Sequence, residues 1–248
     1  MPNKPWTHPL SCLQQGMSGP LRPPVHLLSF SSSIASTLVV LLLAASGTVG
    51  GCNVVTYPVE AVLSAFKPSK TVEAEFNGLP DRSVAIVIRA RPSIEYEYRY
   101  VCLQMSLLIE AELKKHVSGV RVVDPRRVAK YQSENIHWNS ARPAELGKVF
   151  GADFVLYVSL AEHSTREAGY TSLLRGSILA EAGLYDVSHA DQEACVWRKP
   201  DISVAYPTGG GPVQQRPGVE DQVRYGTQRR FAEALVKKFR RYKVKDQQ

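Results

Sequence analysis

The chain has 248 residues, of which 44% are hydrophobic, 21% charged and 8% aromatic. This mixture is ordinary for a globular protein and excludes collagen, mucin-like and wholly disordered chains. Of the net charge of +7, two units come from Lys4 and Arg22, which lie in an N-terminal stretch without acidic residues, so the remainder is only mildly basic. Such a balance lacks the basic excess of a nucleic-acid-binding domain, and one folded domain is expected.

The N-terminal stretch contains an apolar run at residues 34–45. Its length is typical of the hydrophobic region of a signal peptide and falls short of the roughly 20 residues that span a membrane. Shortly after it comes the sequence Val49-Gly50-Gly51-Cys52, in which small residues precede a cysteine. This arrangement resembles the lipobox of bacterial lipoproteins, because the signal peptidase must fit the residues next to the lipid-modified cysteine.

The lipobox resemblance implies that residues 1–51 are a signal peptide and that Cys52 carries the lipid anchor. Two or more acyl chains anchor durably, since each buried CH₂ contributes about 0.8 kcal/mol. Asn53 stands where an aspartate would retain an enteric lipoprotein at the inner membrane, so attachment to the outer membrane, facing the periplasm, is expected. The alternatives are a plain secretory signal, an uncut membrane anchor, and a start at Met17 instead of Met1.

Residues 52–80 are predicted to be a tether between the membrane and the folded domain. They show no sustained hydrophobic periodicity, and Pro58, Pro68 and Pro80 interrupt them. The periplasmic domain is then expected to comprise residues 81–245.

Hydrophobic patterns within this domain predict elements in the order β-α-β-α-β-β-β-α. A continuous apolar run predicts a central strand at 83–89, and apolar residues spaced by three and four predict a helix at 96–117. The other predicted elements are a strand at 120–124, a helical turn at 126–132, a helix at 143–150, strands at 153–160, 173–187 and 193–206, a loop at 208–217 and a closing helix at 219–242. The last two strands are expected to pair as a hairpin. The fold class is therefore α/β (α+β), a mixed sheet of about five strands with packed helices.

Two cysteines remain once the signal peptide is removed and Cys52 is lipidated. Cys102 falls on the apolar face of the predicted helix, and Cys195 lies in a predicted strand. Both fit buried thiols that act as small hydrophobic side chains. A disulfide between them is the alternative, since the periplasm permits one.

Two short motifs resemble those of a group of envelope proteins. Residues 146–156 form a short helix that ends in Gly-Ala-Asp and continues into an aliphatic strand, and residues 183–187 are followed by Val196-Trp197. The pattern resembles the curli-secretion lipoprotein, the N-terminal domain of the Tol translocation protein and the lipoprotein activator of penicillin-binding proteins. The resemblance covers residues 83–242. It implies a mixed sheet with helices and transfers no ligand-binding residue, and Trp197 is expected in the core.

No motif for catalysis, metal binding or cofactor binding occurs in the sequence. The mature chain has four histidines, no two closer than 21 positions, which does not match metal-ligand spacing. A G-x-S-x-G nucleophile motif is missing, and Gly209-Gly210-Gly211 lacks the Lys-Ser/Thr of a phosphate loop. We therefore predict a protein without catalytic, metal or cofactor sites, and no nucleic acid or small-molecule substrate is inferred.

The predicted closing helix is rich in basic residues. Four of them project away from its apolar face and are candidates for contact with an anionic envelope surface or an acidic partner, namely Arg230, Lys237, Lys238 and Arg241. The alternative is a solvated helix face.

A second candidate surface is a group of aromatic residues, Tyr96, Tyr98 and Tyr100. Tyrosine is enriched at the centres of protein interfaces, so the group is a candidate for partner contact. The alternative is packing in the core and at the helix edge.

Together these features predict a non-enzymatic envelope lipoprotein that binds a protein partner as an accessory or activator subunit. The alternative is a subunit of an oligomeric outer-membrane export apparatus, whose assembly would be much larger. A third class, a periplasmic hydrolase, has no residues to support it.

Overall fold

The computed structural model describes residues 69–189 and 194–245. The chain divides into two compact units, and all the described residues except 69–70 and 245 belong to the first of them. Cys52 and the predicted signal peptide lie outside the described residues. Among the helices that are described, none is both long and apolar enough to cross a membrane.

Eight strands are described, six of which form a central mixed sheet. They are β1 (Ser69–Val72), β2 (Ser83–Ala90), β3 (Arg121–Val122), β4 (Phe154–Arg166), β5 (Leu173–Asp186), β6 (Cys195–Tyr206), β7 (Val213–Gln214) and β8 (Tyr242–Lys245). The sheet order is β3-β2-β4-β5-β6, with β7 beside β5, and β1 pairs with β8 in a separate two-stranded sheet. β2 runs parallel to β3 and β4, whereas β4, β5 and β6 run antiparallel.

Helices cover both faces of the central sheet. They are α1 (Pro92–Glu97), α2 (Val101–His116), α3 (Pro125–Glu134), α4 (Pro143–Phe150) and α5 (Val219–Val236), with short 3-10 turns at Trp138–Ser140 and Lys237–Phe239. α2 and α5 pack on one face over the larger part of the core. α3 and α4 pack on the other face over a smaller apolar cluster. The predicted fold class is confirmed.

β2 is buried on both faces, as its uninterrupted apolar sequence predicts. Ile86 points into the cluster beneath α2 and α5, while Ala85 and Val87 point into the cluster beneath α3 and α4. The apolar face predicted for the long helix is also confirmed, since Met105 and Ile109 are fully buried.

The Gly-Ala-Asp motif joins α4 to β4 and has a structural role. Gly151 ends α4 in the left-handed region, with φ of 68°, which favours glycine. Asp153 Oδ2 accepts hydrogen bonds from the backbone N–H and the hydroxyl of Ser83, both at 2.7 Å. These bonds hold the pKa of Asp153 below its usual value. The motif therefore fixes the first residues of β2 and β4 side by side.

The helix predicted at 96–117 is two helices in the structure. α1 begins at Pro92 and ends at Glu97, and α2 begins at Val101 after a left-handed residue, Tyr100, with φ of 62°. The apolar spacing continues across this break because Tyr98 and Val101 are both buried. The pattern alone therefore does not reveal the break.

The closing helix is also shorter than predicted. α5 ends at Val236, a 3-10 turn follows at Lys237–Phe239, and Tyr242 begins β8 instead of lying on the helix. The predicted loop at 208–217 contains the short strand β7, which pairs with β5.

Residues 71–80 of the predicted tether belong to the same compact unit as the domain. Residues 69–72 form β1, Leu79 is fully buried, and the ring of Phe76 lies edge-on to that of Phe154, with centroids 5.7 Å apart. The packed chain thus begins on the N-terminal side of the boundary expected at residue 81, because two apolar residues of this segment contribute to the core.

Candidate functional site

Two of the four basic residues predicted as a contact surface form ion pairs with acidic residues of the domain. Lys238 donates a hydrogen bond to Glu75 at 2.7 Å, and Arg241 donates to Glu73 at 2.9 Å. Both acids come from the segment just after β1. Lys238 and Arg241 are therefore partly neutralised within the domain.

Glu75 also fixes Trp197, the buried aromatic residue of β6. The indole Nε1 donates to Glu75 Oε2 at 3.0 Å. Although burial opposes it, the hydrogen bonds from Lys238 and Trp197 lower the pKa of Glu75. Lys238 thus has a structural role, as part of a bridge between the end of α5, the N-terminal segment and β6.

Arg230 and Lys237 lie beside a cleft of about 500 Å³ between β6 and the C-terminal part of α5. We call it the basic cleft, and its defining residues are Arg175, Lys199, Asp201, Arg230, Lys237 and Tyr242. Residues 203–205 of β6 form one wall, so the cleft follows the outer edge of the sheet. Tyr242 of β8 and Gly209 also line the cleft.

Positive charge in the basic cleft is only partly compensated. Glu233, which also lines it, pairs with Arg229 at 3.1 Å. Within residues 69–189 and 194–245, no ion pair is formed by Arg230 or Lys237. The Lys237 ammonium lies 5.7 Å from the centre of the Tyr242 ring, a favourable contact that leaves its charge available to a ligand.

The predicted tyrosine group is divided by the structure. Tyr96 and Tyr100 are 92% and 71% exposed, whereas Tyr98 is only 6% exposed. The prediction of a partner surface is therefore wrong for Tyr98, because this side chain points into the core at the end of α1. Tyr96 and Tyr100 remain candidates for contact.

Tyr98 belongs to a buried polar cluster between α1, β4 and α5. Its ring lies 4.2 Å from that of His163, and its hydroxyl accepts a hydrogen bond from the Thr165 backbone N–H at 3.2 Å. Thr165 Oγ1 in turn donates to Glu220 at 3.1 Å. Burial, reinforced by the charge of Arg224, lowers the pKa of His163 to about 4, so this imidazole is neutral in the folded protein at neutral pH.

A second cleft, of about 600 Å³, lies at the carboxyl end of β2. Its charged and aromatic residues include Arg89, Arg91, Glu95, Trp138, Glu181 and Asp201. Open α/β sheets often bind ligands at the carboxyl ends of their parallel strands. Bases and acids are mixed here, however, so this cleft favours no particular ligand charge.

The two cysteines that the structure describes, Cys102 and Cys195, have separate partners. Burial raises the pKa of the Cys102 thiol to about 12, with a further contribution from Glu95, so the thiol is protonated at neutral pH. Cys195 Sγ donates to the carbonyl oxygen of Trp197 at 3.7 Å. Both side chains are half-buried. In the described part of the chain, no group of three or more acidic, histidine or cysteine residues could hold a metal ion.

Comparisons with known proteins find similarity of fold at low sequence identity. No protein-family model matches the chain, and no curated protein has a significant match. Lipoprotein GNA1162 from Neisseria meningitidis is 19% identical with a TM-score of 0.38, over 61% of this chain and 99% of that one. A PelC dodecamer from Paraburkholderia phytofirmans is 14% identical with a TM-score of 0.39, over 68% of this chain and 96% of that one.

The similarity to these two proteins, one of which is named a lipoprotein, is one of structure at low sequence identity. Likeness at this level assigns no function and no residue role. The finer resemblance to the curli-secretion, Tol and activator group stays a prediction.

Sequence reasoning identified Arg230, Lys237 and Lys238, all of which line the basic cleft, but missed its other residues. Arg175 and Lys199 come from β5 and β6, and neither belongs to the charge run of the closing helix. Only the pairing of these strands next to α5 brings the residues together, so no local signal in the sequence could have revealed them.

Proposed function

We propose that the chain is a lipid-anchored, non-enzymatic protein of the bacterial envelope that binds a protein partner as an accessory or activator subunit. The observation that carries this proposal is the basic cleft, where Arg230 and Lys237 lie beside the outer edge of the sheet. Buried or partly screened charges at a concave surface steer and select a partner of opposite charge. The partner is therefore a protein with an acidic surface.

The anchoring part of the proposal rests on the lipobox-like sequence at residues 49–52. We expect the mature protein to begin at an acylated Cys52, and the Cys52→Ala variant to remain unprocessed at that site, because the thiol is the point of lipid attachment. Intact mass spectrometry of protein purified from membranes measures both outcomes. A mature wild-type species that retains Val49 to Gly51 would contradict the lipoprotein assignment.

The partner-binding part predicts the effect of reversing the two cleft charges. The double variant Arg230→Glu/Lys237→Glu is expected to fold, since Arg230 is exposed and Lys237, which is half-buried, loses only its contact with the Tyr242 ring, worth about 1 kcal/mol or less. Its cross-linking to the partner in native membranes should fall about tenfold or more, because the cleft would then repel an acidic surface. Cross-linked products are quantified by mass spectrometry, and the denaturation midpoint is measured on the same protein.

The matched control reverses two basic residues on α3, which packs on the opposite face of the sheet. Arg127→Glu/Lys130→Glu changes the net charge by the same amount, and both residues lie away from the basic cleft. Cross-linking should be retained in this control. Equal cross-linking in the wild type and both double variants would refute the basic cleft as the partner site.

The export-apparatus alternative differs from the accessory-subunit proposal in the size of the purified complex that it predicts. An accessory subunit is expected to be small in detergent solution, whereas a subunit of a ring should form a large closed assembly. Size-exclusion chromatography with light scattering distinguishes the two, and a large assembly would favour the alternative.

A further inference from the structure

We infer that the basic cleft binds an extended acidic segment of the partner, which pairs with the outer edge of β6 as an additional strand of the sheet. This inference rests on the proposed function and specifies how the partner is held. It depends on the open backbone edge of β6, on the regular register of one stretch of that edge, and on the placement of charge on both sides of that stretch.

The first observation is that β6 is the last strand of the sheet. It has 12 residues and pairs with β5 on one side. Among the described backbone hydrogen bonds, none outside this ladder involves residues 199–206. At a sheet edge, every second residue presents its N–H and C=O groups outward, ready to pair with another chain.

The second observation is that one stretch of this edge is regular. The pairing with β5 shifts register between Lys199 and Ile202, where Pro200 lies. From Ile202 to Tyr206 the register is continuous. Proline and bulges protect edges from pairing, so the stretch 202–206 is the part of β6 that is suited to accept a strand.

The third observation is that positive charge lies on both sides of this stretch. Arg230 and Lys237 belong to the helical side. Gly176 faces α5, since a Cβ on it would come within 1.7 Å of Thr227 Oγ1. Its neighbour Arg175 therefore projects from the opposite face of β5, where Glu167 lies 3.8 Å from the guanidinium and compensates part of its charge. Side chains of an added strand alternate between the two faces, so an acidic side chain on either face meets a base.

The same charges disfavour a second copy of this chain as the occupant. Pairing of two β6 edges would bring the basic residues of one copy close to those of the other, at an energetic cost. An acidic segment gains both the backbone hydrogen bonds and the charge pairs. This combination is the β-strand addition mode of peptide recognition.

The test uses two synthetic peptides of about ten residues, one alternating glutamate with valine and the other alternating lysine with valine. Each is titrated onto the lipidated mature protein in detergent micelles, and amide hydrogen exchange is followed at residues 202–206. We expect the acidic peptide to bind and to slow exchange about tenfold or more at alternate amides of this stretch. The lysine peptide should not bind, and Arg230→Glu/Lys237→Glu should abolish binding of the acidic peptide.

A third peptide separates strand pairing from simple charge attraction. It has the acidic sequence with every backbone nitrogen methylated, so it keeps the charge but cannot donate hydrogen bonds to the edge. Equal binding of this peptide, or binding of the first peptide without slower exchange at 202–206, would overturn the inference. The proposed function would survive these results, because it depends on membrane cross-linking. Binding to vesicles of anionic phospholipid but to neither acidic peptide would overturn the inference in favour of a lipid surface.

Discussion

Replacement of Trp197 by alanine is expected to lower the free energy of unfolding by about 3–5 kcal/mol, the usual effect of emptying a large buried aromatic site. The indole is 9% exposed, and its ring packs edge-on against Phe239 with centroids 4.9 Å apart. The substitution also leaves Glu75 without the indole hydrogen bond. The urea denaturation midpoint, measured on the full mature chain, tests this prediction.

The conservative variant Trp197→Phe separates packing from hydrogen bonding. Phenylalanine retains most of the apolar contact but cannot donate to Glu75, so we expect a smaller loss of about 1–2 kcal/mol. An unchanged midpoint in the alanine variant would contradict the burial of Trp197. It would also contradict the bridge through which Glu75 and Lys238 attach the N-terminal segment to β6.

The parts of the fold that could be predicted from the sequence are those specified by local patterns. β2 is an unbroken aliphatic run because both of its faces are buried. α4 was predicted with its correct limits because Pro143 occupies its first turn and Gly151 ends it. The hairpin of β5 and β6 followed from two long strand patterns separated by a polar connection.

The parts that were missed depend on contacts between distant residues. β1 and β8 are short, polar strands, and each forms because it pairs with the other. No glycine or proline marks the end of α5 at Val236, so the apolar spacing alone predicts a helix that continues to Tyr242. The left-handed conformation of Tyr100 is unusual for a tyrosine. The spacing of the apolar residues continues across it, so the sequence does not reveal the break between α1 and α2.

The candidate site could likewise be predicted only where it depends on a local pattern. A charge run in one helix is visible in the sequence, and it correctly drew attention to Arg230 and Lys237. The sequence could not show that Lys238 and Arg241 meet Glu75 and Glu73, which lie 163 and 168 positions away. Lys238 and Arg241 thus differ in role from Arg230 and Lys237 of the same run, because acids from the N-terminal end of the described domain pair with them.

The buried polar cluster around His163 should make the stability of the domain depend on pH. His163 is 7% exposed, and its Nε2 lies 3.4 Å from the Gln228 amide nitrogen, which acts as a donor when this imidazole nitrogen is unprotonated. In the described part of the chain, Nδ1 has no hydrogen-bond partner. The charged and titratable groups nearest the cluster are Tyr98, Glu220 and Arg224. None of the described contacts gives a charged imidazole a carboxylate partner.

We therefore expect stability to fall as the pH falls from 6.5 to about 4. Burial lowers the folded-state pKa of His163 from 6.5 to about 4, so the unfolded chain binds more protons than the folded protein across this range. The stabilising effect of the neutral imidazole is complete above pH 6.5 and decreases by up to about 3 kcal/mol towards pH 4. His163→Gln retains a hydrogen-bond acceptor for Gln228 and does not titrate, so its free energy of unfolding should decline less over the same range. Urea denaturation of both proteins at several pH values measures the difference, and parallel curves for wild type and variant would show that His163 is not the group responsible.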